Sequence, residues 1–328
     1  RCYCRSVPGS LLNILARCNK HFKTTASRPI FSRNTVQMHY RGNIIRPPSE
    51  ANSIILQATA GCSHNRCTFC GAYRAPEQKF QIKDERIIAE DIAFAARYCR
   101  RQKTVFLADG DALIIPQKRL VRLCQKIRTE LPWVRRISLY ANCRDILRRS
   151  AQELSALKRI GVSRIYMGLE SGHDMTLKAI CKGSTAAEMI KAGQRVREAG
   201  IFLSVTCLLG IGGTEYSGQH AQDTAAVLNM MRPSQVAVLT LMLLENTELG
   251  KAAARGAFHL PDQAGLFREL RSLLAGLEDF RCQFQANHAS NYFTLDGRLP
   301  RNRNAFLSII DQALAGDISL KPEGLRAL

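Results

Sequence analysis

A chain of 328 residues, 46% of them hydrophobic, can bury one large core and sits within the range of single α/β domains. Its longest apolar runs, Leu203 to Leu209 and Val236 to Leu244, stop well short of the roughly 20 residues a membrane helix needs. The 47 Lys and Arg against 27 Asp and Glu give a net charge of +20, which favours polyanions without specifying one.

The first 37 residues contain no Asp or Glu and seven of the Lys and Arg, so residues 38–328 hold 40 basic against 27 acidic side chains, a surplus of 13. An acid-free, Ser- and Arg-bearing start has the composition of an organelle transit peptide, but it lacks amphipathic periodicity, and Met38 reads as a more natural first residue. Residues 1–37 are therefore expected to be disordered or non-native, with 38–245 forming a core domain and 246–328 an extension. The twelve cysteines are scattered apart from one tight group, which fits a reducing, cytoplasmic setting better than a disulfide framework. Cys2, Cys4 and Cys18 fall in the N-terminal stretch.

From Ser53 onward, short β-branched or apolar runs alternate with amphipathic stretches, the pattern of repeated βα units on a parallel sheet. The first strand is predicted at Ser53 to Ala58, and the tight cysteine group follows it directly. Ile88, Ile92, Ala96 and Cys99 then share one helical face, ahead of strands at Thr104 to Ala108 and Val134 to Tyr140. Ser150 with Glu153, and Thr185 with Glu188, have capping-box spacing, and the helices they open run to Gly161 and Gly200, which suit a left-handed stop. Strands at Val162 to Leu169, Phe202 to Leu209 and Gln235 to Met242 complete a set of six. Each is nearly continuous apolar sequence, as expected of strands covered on both faces. The predicted architecture is an α/β partial (β/α)6 TIM-like barrel. Two amphipathic helices, Asp262 to Leu277 and Asn302 to Leu314, then predict a C-terminal helical extension.

The segment Gly61-Cys62-Ser63-His64-Asn65-Arg66-Cys67-Thr68-Phe69-Cys70 brings three thiols onto one loop at a strand's C-terminal end. Three thiolates can bind three irons of a four-iron cluster and leave the fourth iron open to a small molecule. The plainer alternative is a structural zinc with His64 or another cysteine as fourth ligand, in a binding module without catalysis. Against it, no second Cys-x-x-Cys pair follows to complete a ribbon.

This loop, with Phe69 just before its last cysteine, resembles the signature of radical S-adenosylmethionine (SAM) enzymes, and the likeness extends over about residues 53–245. The commonest spacing in that family has three residues between the first two cysteines; Cys62 and Cys67 are separated by four, as in variant subgroups. The chain as a whole resembles an uncharacterised group distantly related to oxygen-independent coproporphyrinogen oxidases. The resemblance implies a [4Fe-4S] cluster on Cys62, Cys67 and Cys70 whose open iron chelates SAM. It also implies an electron donor such as flavodoxin or ferredoxin, and reductive cleavage to methionine and a 5′-deoxyadenosyl radical. Barrel enzymes place their chemistry at the C-terminal ends of strands. By resemblance, the expected cofactor-binding residues are Phe69, the Asp109-Gly110-Asp111 segment where the family's Gly-Gly-Glu binds the methionyl amino group, Asn142, and Glu170 with Ser171. Gly210 and Gly212 would let the backbone approach the adenine closely.

Asn287-His288-Ala289-Ser290-Asn291-Tyr292 lies outside the six βα units. One reading makes it a substrate-binding or proton-relay loop, with His288 titrating near neutral pH and Asn287, Ser290 and Asn291 as substrate ligands. The other makes it a self-bonded turn. Cys99, Cys124, Cys143, Cys181, Cys207 and Cys282 are singletons that read mostly as small core residues, so a single cluster is expected. The expected function is a radical enzyme acting on a small or tetrapyrrole-like molecule. A radical enzyme that modifies RNA is the alternative the charge suggests.

Overall fold

A computed structural model describes residues 37–74 and 79–327. The N-terminal expectation, together with Cys2, Cys4 and Cys18, falls on residues 1–36 and lies outside the described residues. Among those described, no helix is long and apolar enough to cross a membrane.

In chain order, β1 (Ile54–Gln57) leads into a short ribbon of β2 (Thr59–Ala60) and β3 (Gln81–Ile82), followed by α1 (Glu85–Tyr98). Then come β4 (Thr104–Ala108), α2 (Gln117–Glu130), β5 (Arg136–Tyr140), α3 (Cys143–Leu147), α4 (Ala151–Arg159) and β6 (Val162–Glu170). The order continues with α5 (Asp174–Ala179), α6 (Ala186–Glu198), β7 (Phe202–Leu209), α7 (Gly213–Met231) and β8 (Gln235–Thr240). All six predicted strands are present. Both capping boxes form, at Ser150 and Thr185, and their helices stop at Gly161 and Gly200 with φ of 107° and 69°.

The extension is not purely helical. It supplies α8 (Glu248–Ala254), α9 (Gln263–Ala275) and α10 (Arg303–Ala315), but also β9 (Cys282–Ala286) and β10 (Leu295–Leu299). β9 joins β8 in parallel and β10 closes the row antiparallel to β9, giving one eight-stranded sheet in the order β1-β4-β5-β6-β7-β8-β9-β10. The strand at β9 escaped prediction because only its buried side, Cys282, Phe284 and Ala286, is apolar; Gln283 and Gln285 face the other way. Five alternating residues carry a weak signal beside a run of eight apolar ones.

Two faces of the sheet have different chemistry. Leu56, Leu107, Leu139, Ile165, Val205 and Phe284 are fully buried beneath the helices in the main core. The opposite, concave face carries an aromatic group, Phe106, Tyr140 and Tyr166, whose ring centroids lie 5.1 to 6.0 Å apart, and then turns polar toward β7, β8 and β9. At the strands' starting ends, Glu50 is fully buried and accepts from Tyr166 (2.6 Å), Arg136 (3.1 Å) and Ser53, which fixes residues 45–49 across that end of the concave face.

Candidate active site

Ties independent of the thiols hold the cysteine loop in shape. Thr68 bridges it to the turn after α5 and to α8, donating to Ile180 O at 3.0 Å and accepting from Leu249 N at 2.9 Å. Arg74 donates to Cys67 O at 2.7 Å and Cys70 O at 2.9 Å. Ser63 donates to Asp111 just beyond β4, and Asp111 in turn accepts from Asn142 Nδ2 at 2.8 Å at the end of β5. The loop is thus anchored to two strand ends, to the turn after α5 and to α8, leaving Cys62, Cys67 and Cys70 as half-buried free thiols.

Burial and a neighbouring cation act in opposite directions on the thiols of this loop. Burial pushes the Cys67 thiol up to about 11 and raises Cys70 as well, while the nearby Lys182 ammonium works against the shift in both. Lys182 thus favours the thiolate form that a metal needs. Among the described residues, no three His, Cys, Asp or Glu side chains converge on a point that would hold one metal ion. The imidazole suggested for a zinc is engaged elsewhere. His64 Nε2 donates to Cys181 O at 2.7 Å, its Nδ1 accepts from Arg144 at 3.2 Å, and its ring packs on Gly183, so the tautomer follows from its partners.

The loop opens onto a cavity of about 570 Å3 on the concave face. Cys70, Tyr73 and Gly110 form its wall beside the cysteine loop, Asn142, Glu170 and Lys182 a flank, and Gln235, Gln285, Asn287 and His288 the far wall. Arg46 to Ser49, held by the Glu50 anchor, border one end. Several of these were invisible to sequence reasoning. Ser204 and Thr206 are polar at alternate positions of an otherwise apolar strand, a signal of a polar inner face, and Gln235 opens the next strand.

The sequence-predicted residues divide into three groups. Gly110, Asn142, Glu170, Asn287, His288 and Cys70 line the cavity. Asp109 and Asp111 are fully buried behind it. Burial pushes Asp109 up to about 6 against the lowering bond from Tyr73, and burial with the neighbouring Asp145 carboxyl pushes Asp111 up to about 7. Both serve to hold the loop. Ser290 and Asn291 are also buried supports: Ser290 accepts from Thr240 N at 3.2 Å, and Asn291 donates to Val238 O at 2.8 Å. The structure does not bring Phe69, Ser171, Gly210 or Gly212 to the cavity lining. Phe69 packs with Ile180, Leu208 and Leu241. Ser171 meets His220 Nδ1 at 2.7 Å, and Glu269 accepts from Gly210 N at 2.6 Å beside that same histidine, a fully buried network joining β6, β7, α7 and α9.

Gly110 is required by space. A Cβ there would lie 2.9 Å from the Tyr73 ring, 3.1 Å from Cys62 Cβ and 3.2 Å from Gly61 O, none of which is a flexible side-chain end. Gly110→Ala is expected to cost about 1–3 kcal/mol by overpacking and to displace Cys62. Iron bound per chain after anaerobic reconstitution should fall, and full iron retention would show that the loop tolerates the shift.

A family model described as the Radical SAM superfamily matches residues 56–227. Over 166 residues the chain is 26% identical to the heme chaperone HemW of Bacillus subtilis (strain 168), covering 49% of this chain and 42% of that protein. Over 110 residues it is 24% identical to a tRNA uridine(34) acetyltransferase of Methanocaldococcus infernus, covering 33% of this chain and 21% of the relative. Its fold is similar to that of TsrM, a radical S-adenosylmethionine methyltransferase from Kitasatospora setae, with a TM-score of 0.51 at 17% identity, covering 62% of this chain and 38% of that one. The chain thus spans less than half the length of each of these relatives.

Proposed function

The chain belongs to the radical SAM superfamily, which uses a [4Fe-4S] cluster and SAM, and on that premise we propose that it is an enzyme directing a 5′-deoxyadenosyl radical at a small polar molecule. The observation that carries this reading is that Cys70 and Gly110 wall the same cavity as Gln285, Asn287 and His288, so cofactor and substrate walls face each other across one space. When bound, the cluster supplies one electron to the SAM sulfonium, giving methionine and the radical.

The protein's own part is placement and exclusion. Cys62, Cys67 and Cys70 would hold three irons, and the Ser63–Asp111–Asn142 ties fix the loop relative to the strand ends. Lys182, paired with Glu170 at 2.9 Å, offsets thiolate charge on the flank. Gly110 lets the strand end pass close against Cys62 and the Tyr73 ring while lining the cavity. The Glu50 anchor holds the Arg46–Ser49 segment along the rim of the cavity, where it would narrow the access of water to a carbon radical. His288 on the far wall is the candidate proton carrier; burial and then Lys321 hold its pKa below the ordinary histidine value, which favours the neutral ring.

An electron donor such as flavodoxin or ferredoxin and a cytoplasmic setting belong to the same proposal. An RNA substrate draws on the surplus of basic residues, and it predicts a salt-dependent affinity for RNA. The direct test is anaerobic reconstitution followed by dithionite reduction with SAM. Formation of 5′-deoxyadenosine supports the proposal; a protein that takes up iron yet leaves SAM intact under reduction would end it.

A further inference from the structure

Resting on that reading of the cavity, we propose that Asp296, on β10, sets the hydrogen-bond polarity of the far wall, so that the site takes an uncharged substrate rich in N–H or O–H donors, of the carboxamide or lactam type, and disfavours carboxylates.

An ionised carboxylate can only accept. Asp296 Oδ2 accepts from Gln285 Nε2 at 3.2 Å and from Asn287 Nδ2 at 2.8 Å, which turns both amide oxygens away from it. Gln285 Oε1 then accepts from Gln235 Nε2. Gln235 has no choice left: its Oε1 stays free, buried and without a partner, in a side chain that lines the cavity and is 3% exposed. Sheet register makes the relay possible. Asp296 stands directly opposite Gln285, which stands opposite Ala237, two residues from Gln235 on the same face.

An unpartnered buried acceptor is costly unless a ligand satisfies it, so the wall asks for a donor. Asn287 also has its carbonyl oxygen left to accept. His288 supplies the complement, because its Nδ1 accepts from Ser290 N at 3.1 Å and the neutral ring therefore carries its hydrogen on Nε2. A carboxylate finds little to balance it here. Of the two cations lining the cavity, Lys182 is committed to Glu170 at 2.9 Å, and Arg46 is exposed at the margin. Asp296 touches no ligand in this arrangement; it is a positioning residue acting through Gln285.

Benzamide and benzoate share a shape and differ in this polarity, so they serve as probes of the full-length, cluster-loaded protein by ligand-observed NMR titration in 1 M KCl. At that salt an exposed charge acts over only about 3 Å. Wild-type protein should prefer benzamide by about tenfold, the worth of one satisfied buried hydrogen bond. Asp296→Lys can only donate, turns the relay over and presents Gln235 Nε2–H to the cavity, so the preference should invert. Asp296→Ala should bring the ratio near one. Equal or tighter benzoate binding by wild type, or an unchanged ratio in both variants, would overturn the proposal. Formation of 5′-deoxyadenosine from SAM is measured on the same samples. Its absence would count against the radical reading, while the probe ratio still decides the polarity of the wall.

Discussion

Replacing Cys62, Cys67 and Cys70 together by Ala is expected to take anaerobically reconstituted protein from about four irons per chain to near none, and 5′-deoxyadenosine formation to background. The loop's shape does not depend on the thiols, because Thr68, Arg74 and Ser63 anchor it through backbone and side-chain bonds. The variant should therefore fold, and circular dichroism should match wild type. The loss is then chemical. Of the six other described cysteines, Cys124, Cys143, Cys207 and Cys282 are buried in the core, where burial pushes Cys124 and Cys282 up to about 12 and Cys143 to about 11, and only half-buried Cys99 and exposed Cys181 are accessible. Iron retained at more than a small fraction in the triple variant would mean that the metal sits elsewhere. Well above four irons in wild type would contradict a single cluster. One zinc with no iron would return the zinc-knuckle reading, despite His64 being bound to Cys181 O and Arg144.

What was legible in the sequence followed the range of each interaction. Both capping boxes were readable because their partners lie three residues apart, and the six apolar strands because burial on both faces leaves long unbroken runs. The first helix shows the limit of such reading. Ile88 and Ile92 are buried as its spacing predicts, but the third buried position falls on Ala95, and Asp91 shares that face because Lys83 reaches it at 2.8 Å. Glu50 is further out of reach. Its partners Tyr166 and Arg136 lie 116 and 86 residues away, and nothing local distinguishes it from a surface glutamate. The same holds for the site. The cysteines announce themselves by spacing, whereas the far wall is assembled from single polar residues on two strands and the turn after the second, and that second strand alternates too briefly to be recognised.

Lys182→Met is expected to be the most damaging single change outside the cysteines, because it strands a carboxylate. Glu170 ends β6 at a register shift, with φ of 62°, and its side chain folds back across Gly168, where any Cβ would collide with its carboxylate. It is 12% exposed and Lys182 13%, with 2.9 Å between the charged atoms. Burial alone would depress the lysine's pKa, but the Glu170 carboxylate chiefly outweighs it and the net shift is upward, so the ammonium is held charged. Removing one partner of such a pair costs about 3–5 kcal/mol, while replacing both with neutral groups of similar size is near neutral. Urea unfolding of the metal-free protein should therefore show a large loss in Lys182→Met, and most of it should return in Lys182→Met/Glu170→Gln. Iron retention should separate the roles further. With Glu170 left uncompensated beside the thiolates, the single variant places more negative charge where the cluster must be reduced, and iron bound per chain should fall below that of the double variant. Equal stability and equal iron in the two variants would mean that the pair is not coupled. Lys182 would then be one more basic residue on a basic chain rather than the cation that balances the site.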